Sequence, residues 1–439
     1  MADFAVGQRI SVTVGSASVP AGGELEVLNK LGEGGQGAVY RVRYDGKELA
    51  LKWYFPKRMK NPERFYANIE NNIKQGAPNE AFLWPLAATE KAQDSFGYLM
   101  ELRPPEYKDF SRFLLAKEHF ASIEVAINAA LNIVSAFRAL HDRGYSYQDL
   151  NDGNFFVDPL SGKVLVCDND NVAPYGENLG IAGKCRYMAP EVVTGEALPS
   201  VHTDRFSLAV VLFLLFFLNH PLEGKRTMSP CLTDEHERTF YGTKPLFVYD
   251  PMDDSNRPVR GVHMNVLKYW TLYPEFIHEL FCQAFSEAAM VGRDRQHRVT
   301  EKAWQEALVR LRDALACCPA CREETFVDTS RSRYQCMNCH VSMPTPAVLV
   351  AKKTEVPLLP GAKVTERQLD ADCMAAEAVI GKVVESKATG RMGLRNESST
   401  LWVATLPNGD QKRFEPGKVI PIRRGLRINF SSGKEAEIK

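Results

Sequence analysis

Tyr147-Gln148-Asp149-Leu150-Asn151-Asp152-Gly153-Asn154 runs directly into apolar Phe155-Phe156-Val157, and a second apolar run, Val164-Leu165-Val166-Cys167, ends in Asp168. Asp149 and Asn154 sit five residues apart on what reads as a loop. That spacing lets a carboxylate meet a hydroxyl while an amide oxygen meets a metal ion. An Asp at a strand end is ordinarily a turn-former. Beside Asn154, Asp168 would complete a set of hard oxygen ligands suited to Mg²⁺.

Working outward towards the N-terminus, the chain reads Gly32-Glu33-Gly34-Gly35-Gln36-Gly37-Ala38-Val39. Glycines let a hairpin backbone approach phosphates and donate N–H groups to them. A flexible turn has the same composition, and so does a dinucleotide site. The dinucleotide site needs a helix after the glycines, whereas Ala38-Val39-Tyr40-Arg41-Val42 continues as strand. Ala50-Leu51-Lys52 follows about one strand later, in a register that turns Lys52 into the cleft of the glycines. There its ammonium can hold α- and β-phosphates. Such a lysine needs a carboxylate to orient it; Glu70, in the helical stretch Phe65–Lys74, is the candidate and Glu63 the alternative.

Taken in order, these segments resemble the signature set of protein kinases, from Leu25 to about Leu315. The resemblance extends to Tyr98-Leu99-Met100-Glu101-Leu102 as hinge strand, with Met100 as gate to the back pocket. It includes Met188-Ala189-Pro190-Glu191 as the end of the activation segment and Asp204-Arg205-Phe206-Ser207-Leu208 as the start of a buried central helix. Arg298 resembles the buried partner of Glu191. The resemblance implies an α+β, bilobal kinase fold, with an N-terminal extension at 1–24, an N-lobe at 25–103 and a C-lobe at 104–316. It implies transfer of the γ-phosphoryl group of ATP to protein Ser/Thr hydroxyls. Gly32, Gly34, Gly37, Val39, Ala50, Lys52, Glu70, Met100, Glu101 and Leu102 would surround the nucleotide. Asn154 and Asp168 would bind Mg²⁺, and Asp149 would take the hydroxyl proton. The rival is a nucleotide-binding pseudokinase scaffold; the presence of Lys52, Asp149, Asn154 and Asp168 favours the enzyme.

Four departures from the pattern matter. Tyr147-Gln148 replaces His-Arg, so the arginine that pairs with an activation-segment phosphate is missing. Asp168–Pro190 contains no Ser or Thr, which fits a design without that switch. Asp168-Asn169-Asp170 stands where the family has Asp-Phe-Gly; Asp170 is either a second metal ligand or a solvent-facing turn carboxylate. Asn151 occupies the place of a lysine near the transferred phosphate. Lys184, after Gly183, either supplies that cation as a second catalytic residue or is an ordinary surface lysine.

Cys318-Pro319-Ala320-Cys321 and Cys336-Met337-Asn338-Cys339 are two C-x-x-C knuckles, the spacing of a structural Zn²⁺ ribbon at 317–343. Cys317 and His340 are spare. Residues 344–375 mix Pro, Lys and Thr and read as a linker. Residues 376–439 read as a small all-β sandwich that resembles forkhead-associated domains, which bind phosphothreonine. Arg391 or Arg395 would then meet phosphate, or both are ordinary surface arginines. The whole combination resembles bacterial kinases of tellurite-resistance and stress islands. That resemblance implies a von Willebrand A-domain protein and a metal-dependent protein phosphatase as partners, besides a protein substrate.

Composition agrees. A chain of 439 residues is too long for one core and suggests two or three units. Lys+Arg and Asp+Glu balance at 54 each, which gives no electrostatic footprint for nucleic acid or anionic membrane. The longest apolar run, Leu208–Leu218, is too short to span a bilayer and reads as a core helix. Met1–Ile10 has no apolar leader, and the cysteines are spaced for metal rather than disulfides. A cytoplasmic location is expected.

Overall fold

The computed structural model describes residues 4–56, 61–92, 95–174, 177, 183–228, 233–292, 297–352, 354–369, 378–431 and 433–439. The chain divides into two compact units: Met1–Trp270 with Glu279–Gln305, and Thr271–His278 with Glu306–Lys439.

The first unit opens with a closed barrel of six strands: β1 (Arg9–Gly15), β2 (Glu24–Glu33), β3 (Gly37–Tyr44), β4 (Lys47–Tyr54), β5 (Ala87–Thr89) and β6 (Gly97–Met100), in the order β1-β2-β3-β4-β6-β5. Alternation makes these strands. Ala38, Tyr40, Val42 and Tyr44 point into the barrel core, while Arg41 and Arg43 face solvent. Asp45-Gly46 joins β3 to β4 with φ of 49° and 74°, the two positive values that a two-residue hairpin turn requires. Residues 1–24, expected as an extension, contribute β1. Ile10 and Val12 are buried between β2 and β5, so the barrel cannot close without them. One helix, α1 (Pro62–Gln75), is capped by the Asn61 side chain on the Arg64 N–H and buries Asn68, Ile69, Asn72 and Ile73.

The helical lobe is built around the helix Val201–Phe217, which contains most of the apolar run read as a core helix. From Phe206 to Phe217 every residue is buried. Phe213 packs edge-on against Phe281, with centroids 5.2 Å apart, and Phe247 and Phe285 surround it. The helix Ile123–Asp142, capped by Ser122, is long and apolar enough to cross a membrane by composition. Its face Ile127, Ala130, Val134, Phe137 and Leu140 is packed inside the lobe, as for a core helix.

His141, at the end of that helix, lies between two carboxylates. Its Nε2 is 3.1 Å from Asp204 Oδ2 and its Nδ1 is 2.9 Å from Glu301 Oε1. Glu301 also accepts from Arg205 Nε at 2.9 Å. Burial opposes a charge on His141, but the two carboxylates outweigh it and raise its pKa to about 9. The expected Arg298–Glu191 pair is present at 2.7 Å, with both side chains buried.

In the second unit, two short hairpins (Leu315–Cys317 with Glu324–Phe326, and Arg333–Gln335 with Ser342–Pro344) each carry one C-x-x-C pair between their strands. Beyond them lie a six-stranded and a four-stranded sheet that share one core, including Leu349, Val364, Leu394, Trp402 and Ile428. Of the segment 344–375, expected as a linker, the described residues up to 369 are folded. It supplies the strands Val348–Ala351, Thr354–Pro357 and Lys363–Thr365 to those sheets. Its polar residues hid this: Arg367 and Gln368 are buried, and both donate to Asp313 Oδ1, at 3.2 and 2.7 Å. Residues 370–377 lie outside the described residues.

Since His141 has its folded pKa raised above the unfolded value of about 6.5, its contribution is full below that pH and is lost as pH rises through about 9. Urea unfolding between pH 6 and 10 should show a loss on the order of 3 kcal/mol from this group. His141→Asn should flatten that slope; an unchanged slope in the variant would remove the charged triad.

Candidate active site

The glycine segment spans the end of β2 and the start of β3, closed by Gly34 N–H donating to Gly37 O at 2.9 Å. Gly37 is obligatory here, because a Cβ on it would lie 2.2 Å from the Trp53 carbonyl oxygen. Gly32 and Gly35 face open space instead, where backbone can approach a ligand. Val39 lies opposite Lys52 across the ladder, and Ala50 lies opposite Met100. Val39, Ala50, Met100 and Leu102 join one apolar cluster with Phe156 and Leu165. Glu101 follows Met100 on the exposed side of the hinge. Phe156 escaped the sequence reading as a pocket residue; its position two after Asn154, under Ala50 and Met100, was the available signal.

Lys52 is buried, and its carboxylate partners are not on α1. Its Nζ lies 3.0 Å from Asp168 Oδ1 and 2.9 Å from Asp170 Oδ2. Burial disfavours its charge, but Asp168 and Asp170 outweigh that and raise its pKa above the ordinary lysine value. The expected partner, Glu70, is corrected by this geometry. At about 100° per residue, Glu70 is turned well away from Asn68 and Asn72, which form the inward face. The alternative, Glu63, is exposed and pairs with Lys91.

Asp149 and Asn154 are fixed by the loop itself. Asn154 Nδ2 donates to the Asp149 carbonyl at 2.7 Å, which leaves Oδ1 as the atom available to a cation. Asn151 Nδ2 donates to Asp149 Oδ1 at 3.1 Å, and its own Oδ1 accepts from Gly153 N–H. Asp168 has φ of 55°, which aims its carboxylate back towards Lys52. Asn154 and Asp168 thus offer the hard oxygens that suit Mg²⁺. Burial pushes the Asp149 pKa up to about 6, against the opposing Asn151 hydrogen bond and Lys184 charge.

Asp204, on the helix Val201–Phe217, accepts from the N–H groups of Tyr147 (2.6 Å) and Gln148 (3.2 Å) and holds the start of this loop. Tyr147 OH donates to the Cys167 carbonyl and joins the loop to the strand before Asp168. Gln148 Nε2 donates to the Glu177 carbonyl at 2.7 Å. Asn169, which stands where the family has Phe, is fully buried and donates to the carbonyls of Leu83 (2.8 Å) and Val166 (2.9 Å). Lys184 donates its main-chain N–H to Asp149 and places Nζ 2.9 Å from Asp152 Oδ1. Tyr187 is buried against Asp152; Tyr175 lies outside the described residues.

In the second unit the Sγ atoms of Cys318, Cys321, Cys336 and Cys339 all lie within 4.8 Å of one another. The two knuckles are alike: Arg322 and His340, each directly after its second cysteine, have φ of 68° and 59°. Their N–H groups return to the Cys318 and Cys336 carbonyls at 2.9 and 3.1 Å. Four converging thiols with this chemistry are compatible with Zn²⁺.

The chain matches the protein kinase domain over residues 25–269, more than half of its length. It is similar to protein kinase YegI of Escherichia coli strain K12, at 26% identity over 67% of this chain and 46% of that protein. Similarity to YegI of Escherichia coli O157:H7 is 25%, over 66% of this chain and 45% of that protein. The human serine/threonine-protein kinase SBK2 is 29% identical over 43% of this chain and 56% of its own length. The chain therefore spans less than half the length of the two YegI proteins. With the glycine hairpin, buried lysine and Asp149–Asn154 loop set in one cleft, the chain belongs to the protein kinase family.

Proposed function

We propose that the protein transfers the γ-phosphoryl group of ATP to Ser or Thr hydroxyls of a protein substrate. The observation that carries this is the convergence of Lys52, Asp149, Asn154 and Asp168 on one cleft beneath the glycine hairpin. Lys52 holds phosphate oxygens, and Asn154 with Asp168 would hold Mg²⁺, which supplies charge neutralisation on the transferring group. Asp149 orients the attacking hydroxyl and accepts its proton. Since the base must be ionised, kcat/KM should rise with pH through about 6. Asp149→Asn should lower kcat by about 10²–10⁴-fold while MgATP still binds. A radiolabel transfer assay with retained turnover in that variant would sink the reading.

We also read the enzyme as independent of activation-segment phosphorylation. Gln148 holds the Glu177 carbonyl with a neutral amide, and Arg64 of α1 lies 3.6 Å from the Glu177 carboxylate. Tyr187 is buried, and Asp168–Pro190 offers no Ser or Thr. Phosphatase-treated protein should keep its turnover; dependence on a phosphorylated Tyr175 would overturn this. Lys184 supplies the cation that Asn151 lacks, exchanging Asp152 for the transferred phosphoryl group. Lys184→Ala should reduce kcat about 10²-fold with little change in MgATP affinity. A kinetically silent variant would leave Lys184 as a surface lysine.

The four cysteines form a structural zinc ribbon. Elemental analysis should give one Zn²⁺ per chain, and a strong chelator should unfold this small segment. Metal-free protein with four freely titrating thiols would remove the site. The resemblance to tellurite-resistance and stress-island kinases supports a cytoplasmic signalling role beside a von Willebrand A-domain protein and a metal-dependent protein phosphatase. Phosphosite mapping with those neighbours as substrates is the direct test. For the terminal sandwich, a phosphopeptide role rests on Arg391, which lines a groove of about 870 Å³ together with Arg423. Arg395 is engaged by Glu397 at 2.6 Å.

A further inference from the structure

Lys52 and Tyr54 project from one face of β4, and Tyr98 stands opposite Lys52 on β6. An ammonium and two phenol hydroxyls therefore converge on one point. Asp170 fills it. Oδ1 accepts from Lys52 at 3.0 Å and from Tyr98 at 3.2 Å. Oδ2 accepts from Lys52 at 2.9 Å and from Tyr54 at 2.5 Å. A carboxylate has about four lone-pair sites, and here each oxygen already takes two donors. With its side chain 0% exposed, Asp170 is neither the second metal ligand nor the solvent-facing turn residue that the sequence left open.

Helix α1 meets the same loop in a different way. Asn68 and Asn72 donate to the Val172 carbonyl at 2.8 and 3.2 Å, and Asn68 also reaches the Asp170 carbonyl at 3.4 Å. These are neutral amides on main-chain oxygens. Among the described residues, no ion pair joins α1 to Lys52. In protein kinases generally, a glutamate of this helix pairs with the lysine, and its arrival or departure switches the site.

We propose that Asp170 is the positioning residue for Lys52, so that the lysine is oriented from within the Asp168-Asn169-Asp170 loop and not from α1. This rests on the kinase reading above. Its consequence is regulatory: the lysine and the metal-binding aspartate are held by one loop, and a helix swing has no carboxylate to withdraw.

The experiment measures kcat, KM for MgATP and calorimetric MgATP affinity for Asp170→Asn, Lys52→Met, their double variant and Glu70→Gln. Asp170→Asn keeps Lys52 beside Asp168 at 3.0 Å, so the ammonium is not orphaned. The expected result is a fall in kcat/KM of about 10²-fold, the scale of a misplaced reacting group, with MgATP affinity also weakened. The double variant should be no worse than Lys52→Met alone, because Asp170 acts through the lysine. Glu70→Gln should stay within about twofold of the parent, on the scale of a surface substitution. Singles that multiply in the double variant, a silent Asp170→Asn, or a Glu70→Gln as damaged as Asp170→Asn would each overturn the proposal. Should Asp170→Asn fail to fold, Asp170→Glu keeps the charge but displaces the ammonium, and must lower kcat/KM at least about tenfold; unchanged catalysis would overturn it. If the parent chain transfers no phosphoryl group, the kinase reading fails by itself, and the affinity series still decides the pairing.

Discussion

A buried ammonium is the constraint from which the active cleft follows. Lys52 sits on an interior strand of a barrel lined by apolar side chains, and a lone charge there would cost several kcal/mol. Two carboxylates of one loop remove that cost, Asp168 from the open side and Asp170 from the closed side. The loop is thereby drawn against the barrel, and Asn68 and Asn72 lie over its carbonyls. The lysine keeps its charge because it keeps these neighbours.

The second anchor is Asp204. Its two oxygens take the N–H groups of Tyr147 and Gln148, and His141 lies against one of them. A buried carboxylate in the first turn of the helix Val201–Phe217 thus sets the backbone that carries Asp149. The Tyr147 hydroxyl on the Cys167 carbonyl passes that order to the strand before Asp168. Asp149 and Asp168 are positioned by the same core, which is why one helix so apolar carries an Asp at its start.

Much of this was legible in the residues. Glycine spacing, a lysine in a strand, and a carboxylate and amide five apart each carry chemistry in the side chain and its ladder position, which sequence displays directly. What failed was pairing. Glu70 was chosen because a carboxylate on a helix is the usual partner, yet periodicity turns it from the face that Asn68 and Asn72 occupy. For Asp170 the sequence leaves open a second metal ligand or a turn carboxylate, because nothing in a string shows that Tyr54 and Tyr98 aim hydroxyls at it. Residues 344–375 looked like a linker because Pro, Lys and Thr punctuate strands too short to show alternation. Their burial comes from the sheets they join, and buried Arg367 donates to buried Asp313.

Several side chains that hold the loops of the cleft share one physical character. Gln148, Asn151, Asn169, Asn68 and Asn72 are neutral amides, and all five donate to main-chain carbonyls around the cleft, Asn151 to the Asp149 carboxylate as well. A charge-based latch can be opened or closed by adding or removing a phosphate, since the energy lies in the charge. An amide on a carbonyl has no such handle. It is buried, its partner is backbone, and breaking it leaves an unsatisfied group costing about 1–3 kcal/mol. A loop held by several such bonds stays in one arrangement by default. Exposed charge remains at the Lys184–Asp152 pair and at the Arg64–Glu177 pair that joins α1 to the segment after Asp168, so control of the proposed kinase would act there.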